Sequence, residues 1–209
     1  MELLLIRHGL PVRREVTEGA ADPELAESGR QQAEHLAQYL SSERIDAVYS
    51  SPLLRARETA APLAAQCGQE IRIEPGIAEF DQNASEYVPV EEMKAANDER
   101  WQALVNGIWD SDVDQAMFRS RTIEAIESII DRHPGQRVAA TCHGGVINVY
   151  LGHILGLSDE THGFFYPNYT SINRIAAAST GERSVVTVNE TSHLRGTGLP
   201  MGLFQGAHS

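Results

Sequence analysis

The 209-residue sequence predicts a single α/β domain spanning 1–209, with a mostly parallel central sheet and helices on both faces. Three observations carry that prediction. Short apolar runs alternate with longer amphipathic segments along most of the chain. The first run, Leu3–Ile6, is continuously apolar, as expected of a strand buried on both faces. Near the end, two strand-like runs flank a turn, which reads as a hairpin. At 42% hydrophobic composition the chain is long enough for one sizeable core and short for two.

The elements follow in order. "MELLLIRHGLPVRR" supplies the first strand, which stops at Arg7, His8 and Gly9. "ESGRQQAEHLAQYLSS" sets Ala33, Leu36, Ala37 and Leu40 at helical spacing, and "IDAVYSS" is the second strand. "PLLRARETAAPLAAQ" predicts a helix with Ser51 as N-cap and Pro52 at its first position. Its Ala56, Thr59, Ala60 and Leu63 face inward, and Pro62 is expected to bend or shorten it. "IRIEP" is the third strand. From about Asp81 to Asp114 the periodicity weakens, and this stretch, with Met93, Trp101 and Trp109, reads as a helical flap inserted after the third strand and packed beside the site. "RTIEAIESIIDRH" is a helix stopped by "PG", "QRVAATC" is the fourth strand, and "HGGVINVYLGHILGL" turns from glycines into a helix. "TSINRIAAA", "STGE" and "RSVVTVN" make the hairpin.

Charge and composition narrow the function. A formal net charge of -12 disfavours a nucleic-acid partner or an anionic membrane, both of which need a basic face. A small anionic substrate stays open, because a pocket can be locally basic. Among 17 basic residues only Lys94 is lysine, so arginine is the default cation here and a single arginine says little about anion binding. Cys67 and Cys142 are too few for a disulfide scaffold or a cysteine-rich metal site, although one bridge between them stays open. No stretch approaches the ~20 apolar residues of a membrane span, and Glu2 before so short an apolar run does not resemble a secretory signal. The expectation is a cytoplasmic protein, with homodimerisation left open.

In sheets of this kind ligands gather at the carboxyl ends of the strands. Arg7–His8 follows the first strand, Ser50–Ser51 the second, Glu79 the third, and Cys142–His143–Gly144 the fourth. "LLLIRHG" and "VAATCHGG" share one form: strand, histidine, glycine. Glycine lets backbone amides approach a ligand without a Cβ in the way, and a following helix adds partial positive charge suited to phosphate.

Taken together, "RHG", "SPLLRARETA", "IAEF" and "CHGG", with "LAESGRQQA" and "VNETSHL" between and after them, resemble the histidine phosphatase superfamily, the phosphoglycerate-mutase-like fold, over essentially the whole chain. The resemblance implies that His8 is a nucleophile that becomes phosphohistidine. Arg7 and Arg55 clamp the phosphate. Glu79 is proton donor and then base, and His143 binds phosphoryl oxygens, adding to the cationic field when charged. The Gly144 amide completes the cage, and no metal or other cofactor is expected. Arg13 and Arg14 form either a basic rim for a second anionic group of the substrate or a solvated loop. Arg57 reads as a surface residue and Cys142 as a small core residue. His35, His133, His153, His162 and His193 lack metal-ligand spacing. Around Glu79, Glu74 and Asp81 are competing carboxylates.

The chain departs from the family pattern at Leu10, where Glu or Gln is common, and at Arg14, where many members have asparagine. "FDQNASEYVP" replaces the usual glycine-containing continuation after Glu79. These changes reshape the pocket wall and leave the substrate unnamed. The lysine-bearing insertions of bisphosphoglycerate-dependent mutases are absent. The expected activity is therefore metal-independent hydrolysis of a small phosphomonoester, with a phosphomutase or a non-catalytic phosphate-ester binder as alternatives.

Overall fold

The computed structural model describes residues 1–105, 114–158, 161 and 163–203. In chain order the elements are β1 (Glu2–Arg7), β2 (Arg14–Glu15), α1 (Glu27–Tyr39), β3 (Ala47–Ser50), α2 (Leu54–Cys67), β4 (Ile71–Ile73), β5 (Glu86–Tyr87), α3 (Val90–Ala95), α4 (Glu99–Val105), α5 (Gln115–Arg132), β6 (Arg137–Cys142), α6 (Gly144–Ile154), β7 (Ile172–Ala177) and β8 (Arg183–Glu190). Six strands form one sheet in the order β4-β3-β6-β1-β7-β8. The first four of these run parallel, while β7 and β8 return antiparallel as the expected hairpin.

Side-chain alternation along β1 explains why both faces need cover. Leu3 and Leu5 enter a core built with Ile126, Ile129 and Ile130 of α5 and with Val146, Ile147 and Tyr150 of α6. Leu4 and Ile6 enter a second core built with Leu36 and Ala37 of α1 and with Ala60, Leu63 and Ala64 of α2. With β1 and β6 paired from Glu2↔Arg137 to Arg7↔Cys142, both strands end at one level. His8 and His143 therefore leave the sheet side by side, and the His8 amide donates to Cys142 O at 2.9 Å.

Three local expectations change. Helix α2 begins at Leu54 with Leu53 as N-cap, because Pro52 and Leu53 are spent on the turn out of β3. It continues through Pro62 to Cys67, so the proline does not shorten it. Both cysteines are free thiols, which excludes a Cys67–Cys142 bridge. The flap contains β5, α3 and α4, with β5 pairing β2 in a separate two-stranded ribbon. Trp109 and His162 lie outside the described residues. Among the described residues no helix is long and apolar enough to cross a membrane.

Candidate active site

Arg7 and His8 end β1, Arg55 sits in the first turn of α2, Glu79 lies beyond β4, and His143 is the N-cap of α6. All five are buried, none more than 7% exposed. The His8 and His143 rings lie 5.2 Å apart between centroids.

Backbone geometry fixes the state of His8. Its Nδ1 is 2.7 Å from Gly9 O. A carbonyl only accepts, so Nδ1 carries the proton and Nε2 keeps a lone pair. Burial, reinforced by Arg55 and Arg7, holds the ring pKa well below the usual histidine range. The Gly9 loop is itself anchored: its amide donates to Thr59 Oγ1 at 2.9 Å, and the Leu10 amide donates to Gln32 Oε1 at 2.8 Å. Gly29 makes that docking possible, since a Cβ there would meet Leu10 O at 2.1 Å.

The two arginines are held from one side. Arg7 Nη1 donates to Pro167 O at 2.7 Å, and its guanidinium lies 4.2 Å from the Tyr169 ring centroid and 5.1 Å from that of Tyr166. Arg55 Nη2 donates to Asp81 Oδ1 at 2.8 Å, and its guanidinium lies 4.6 Å from the Tyr87 centroid. Arg7 Nε, Arg55 Nε and His143 Nδ1 are buried without a partner among the described residues. Unpaired buried polar atoms are costly, and these three sit on elements that meet around His8.

Glu79 reaches the site because the Pro75–Ile77 turn after β4 packs Ile77 into the core beside α5. Its Oε2 accepts from the Gly145 amide at 2.8 Å and its Oε1 from the Phe80 amide at 3.2 Å. A Cβ on Gly145 would lie 2.3 Å from Glu79 Oε1, so this close approach needs glycine. Burial, with Asp81 adding repulsion, raises the Glu79 pKa to about 7. The carboxyl can therefore give and take a proton near neutral pH. His143 is likewise held neutral, by burial first and then by Arg55 and His8, so the positive charge of the free site resides on the guanidiniums.

Gly144 opens α6, and as the first helical residue its N–H has no intrahelical acceptor. Arg13 and Arg14 stand apart from this cluster. Arg13 pairs with Glu86 at 2.7 Å and Arg14 with Glu24 at 2.8 Å, both largely exposed. Arg57 is exposed, and Cys142 is a core residue whose thiol burial pushes up. His133 bonds Tyr49 Oη and Gln136, and His193 bonds Thr170 Oγ1.

The sequence did not single out Tyr87, Tyr166 and Tyr169 as arginine-stacking groups, Ser51 as a partner of His143, or Asp81 as a partner of Arg55. Tyr169 also donates to Glu91 of α3 at 2.9 Å, which ties the flap to the site. Thr170 is buried and β-branched at φ +53°, an outlier whose amide donates to His8 O at 3.4 Å. The strand-end rule reaches Ser51, but nothing local marks the tyrosines.

Two neutral histidines, two guanidiniums and a protonatable carboxyl gather beyond the carboxyl ends of the parallel strands, an arrangement chemically suited to phosphoryl transfer. The histidine phosphatase superfamily (branch 1) model matches residues 3–191, and the chain belongs to that family. Phosphoglycerate mutase-like protein 4 of Arabidopsis thaliana is 29% identical over 215 residues, covering 98% of this chain and 92% of its own. Phosphoserine phosphatase 1 of Hydrogenobacter thermophilus is 33% identical over 151 residues, covering 68% of this chain and 71% of its own. Among solved structures, Bacillus stearothermophilus YhfR matches with a TM-score of 0.74 at 25% identity, over 92% of this chain and 98% of that one. The phosphoserine phosphatase of Entamoeba histolytica shares the fold with a TM-score of 0.73 at 23% identity, over the same shares of the two chains.

Proposed function

We propose that the protein hydrolyses small phosphomonoesters through a phosphohistidine on His8. The observation that carries this reading is the Nδ1–Gly9 O bond, which leaves a neutral Nε2 lone pair on a ring whose charge is suppressed by burial and by the nearby Arg55 and Arg7. Arg7 and Arg55 grip the phosphate, and their planar forks fix it for in-line attack. Nε2 forms the N–P bond as the ester P–O bond breaks, and Glu79 gives its proton to the leaving alkoxide. Water then attacks phosphorus while Glu79 takes its proton. The N–P bond breaks, its electron pair returns to Nε2, and inorganic phosphate leaves.

Relatives named for phosphoglycerate mutase bring a competing reading, in which the phosphoryl group returns to the same substrate. Hydrolysis is favoured because Arg13 and Arg14, suited to a second anionic group, are engaged by Glu86 and Glu24. The test is phosphate release from p-nitrophenyl phosphate with chelator present, beside 3-phosphoglycerate isomerisation with 2,3-bisphosphoglycerate. Wild type is expected to release phosphate and His8→Ala to lose at least about 10³-fold of that rate. Full activity in His8→Ala, or isomerisation exceeding phosphate release, overturns the reading.

A further inference from the structure

His143 is held at one ring nitrogen. Its Nε2 lies 2.7 Å from Ser51 Oγ, while its Nδ1 has no partner among the described residues. The direction of the Ser51 bond follows from counting donors and acceptors. Ser51 Oγ already accepts the Leu53 amide at 3.3 Å. Its hydroxyl hydrogen then has one acceptor among its described partners, His143 Nε2. A neutral imidazole carries one N–H and one lone pair. With Nε2 accepting from serine, the ring proton sits on Nδ1.

The fold holds this serine firmly. Ser50 pairs with Thr141 at the end of the β3–β6 ladder, and the Ser51 amide donates to Thr141 O at 3.0 Å. Ser51 is fully buried, and His143 follows Thr141 by two residues on the neighbouring strand end. The hydroxyl and the ring are thus fixed against each other by sheet register rather than by flexible side chains.

We propose that Ser51 is a positioning residue that fixes His143 as an Nδ1–H donor to the phosphoryl oxygens. Gly9 O acts on His8 in the complementary sense. The two imidazoles so take opposite roles, one offering a lone pair at Nε2 and the other a proton donor at Nδ1. The assignment rests on the phosphatase reading for its substrate oxygens, but the tautomer itself does not depend on turnover.

Long-range nitrogen–proton NMR of the labelled protein, with His143→Gln used to assign the resonances, reads the tautomer directly. The wild type is expected to show a protonated Nδ1 and an unprotonated Nε2 at His143, with the Nδ1 proton shifting when inorganic phosphate binds. Ser51→Ala is expected to mix the two tautomers. Its kcat for p-nitrophenyl phosphate should fall by about 10- to 100-fold with KM changed less than about threefold, a smaller loss than the roughly 10²–10³ of deleting a donor outright. Ser51→Thr, which keeps the hydroxyl, is expected to recover most of kcat. A protonated Nε2 in the wild type overturns the proposal, as does an Nδ1 proton that saturating phosphate leaves unmoved. So does Ser51→Ala with wild-type kcat. Should the wild type show the expected tautomer and no hydrolysis of any phosphomonoester, the phosphatase reading fails while the Ser51 assignment of the tautomer stands.

Discussion

Glu79 and Asp81 are two residues apart and have divided the work of a carboxylate. Glu79 is buried and bonded to backbone amides, whereas Asp81 is partly exposed and bonded to Arg55. Glu74, the third competitor, caps its own turn and pairs with Arg132. The charges facing Glu79 are Asp81 on its own segment, Arg55 on α2 and Arg121 on α5, with the Gly145 amide from α6. Replacing Asp81 with Asn removes repulsion, so the Glu79 pKa falls. If Glu79 must be protonated to start the reaction, wild-type kcat/KM falls as pH rises through about 7, and in Asp81→Asn that limb moves to lower pH. A limb that stays fixed in the pH–rate profile contradicts the assignment. Stability follows the same sign. The native carboxyl, raised from 4.5 to about 7, holds its proton where the unfolded one has lost it, so stability declines as pH rises across that window. At pH 8, Glu79→Gln should unfold later in denaturant than the wild type, by up to about 3 kcal/mol. At this scale Arg7, His8 and His143 were legible because each sits in a strand–residue–glycine pattern. Tyr169, Tyr87 and Asp81 were not, since each reaches the site through tertiary folding of segments without periodicity.

Two glycines connect the elements to the chemistry. Gly145 lets α6 start against Glu79, and Gly29 lets α1 start against the loop that carries His8. Gly145→Ala places a methyl 2.3 Å from Glu79 Oε1, so the carboxylate must move. We expect at least a tenfold loss of kcat with little change in melting temperature. Gly29→Ala drives a methyl into backbone at Leu10, which cannot yield as a side chain can. That substitution should cost about 1–3 kcal/mol in denaturant unfolding as well as activity. Equal stability of Gly29→Ala and wild type would mean that the α1 docking is looser than this geometry requires. The order and type of the six sheet strands and of α1, α2, α5 and α6 were legible from periodicity, because most of their apolar runs had a buried destination; β4 and β8 read as strands although Ile73, Val186 and Val188 stay exposed. Boundaries were less so: Ser51 has the chemistry of an N-cap, but its hydroxyl serves His143 and the helix starts at Leu54. The flap was legible only as a break in pattern, since its short helix α3 buries none of its residues.

Over the whole molecule, the arginines include a salt-bridge network on the sheet and two buried side chains, Arg7 and Arg55, at the candidate site. Arg174 is the hub of that network, bonding both oxygens of Glu43 at 2.7 and 2.8 Å, Glu190 at 2.9 Å and Glu2 at 3.2 Å. It joins β7 to β1, β8 and the turn after α1. Hydrogen bonds from Arg174 lower the Glu43 pKa, and Glu190 is lowered by Arg174 and Tyr39 against the opposing effect of its burial. Depressed carboxylates stabilise above their unfolded value and lose that contribution as pH falls through the folded one. Acid unfolding should therefore set in below about pH 4.5, opposite in sense to the Glu79 effect. Arg174→Met leaves Glu190 without its arginine and Glu2 and Glu43 with Arg137 alone, and should cost about 2 kcal/mol at pH 7, with the loss shrinking at pH 4. Equal losses at both pH values in denaturant titrations would contradict the network's role. The net charge of -12 and a locally basic site are compatible because Arg7 and Arg55 are buried while acidic residues outnumber basic ones over the chain.

The proposed covalent attack by His8 Nε2 leaves a phosphorylated enzyme that can be trapped. Glu79→Gln, which retains the nucleophile but lacks the base for water, would be mixed briefly with p-nitrophenyl phosphate, quenched in alkali and mapped by peptide mass spectrometry. An acid-labile, alkali-stable phosphate on His8, carried at Nε2 and missing from Glu79→Gln/His8→Ala, is the predicted result. Phosphate on another residue, or wild-type turnover with no phosphorylated enzyme under single-turnover conditions, would contradict the account.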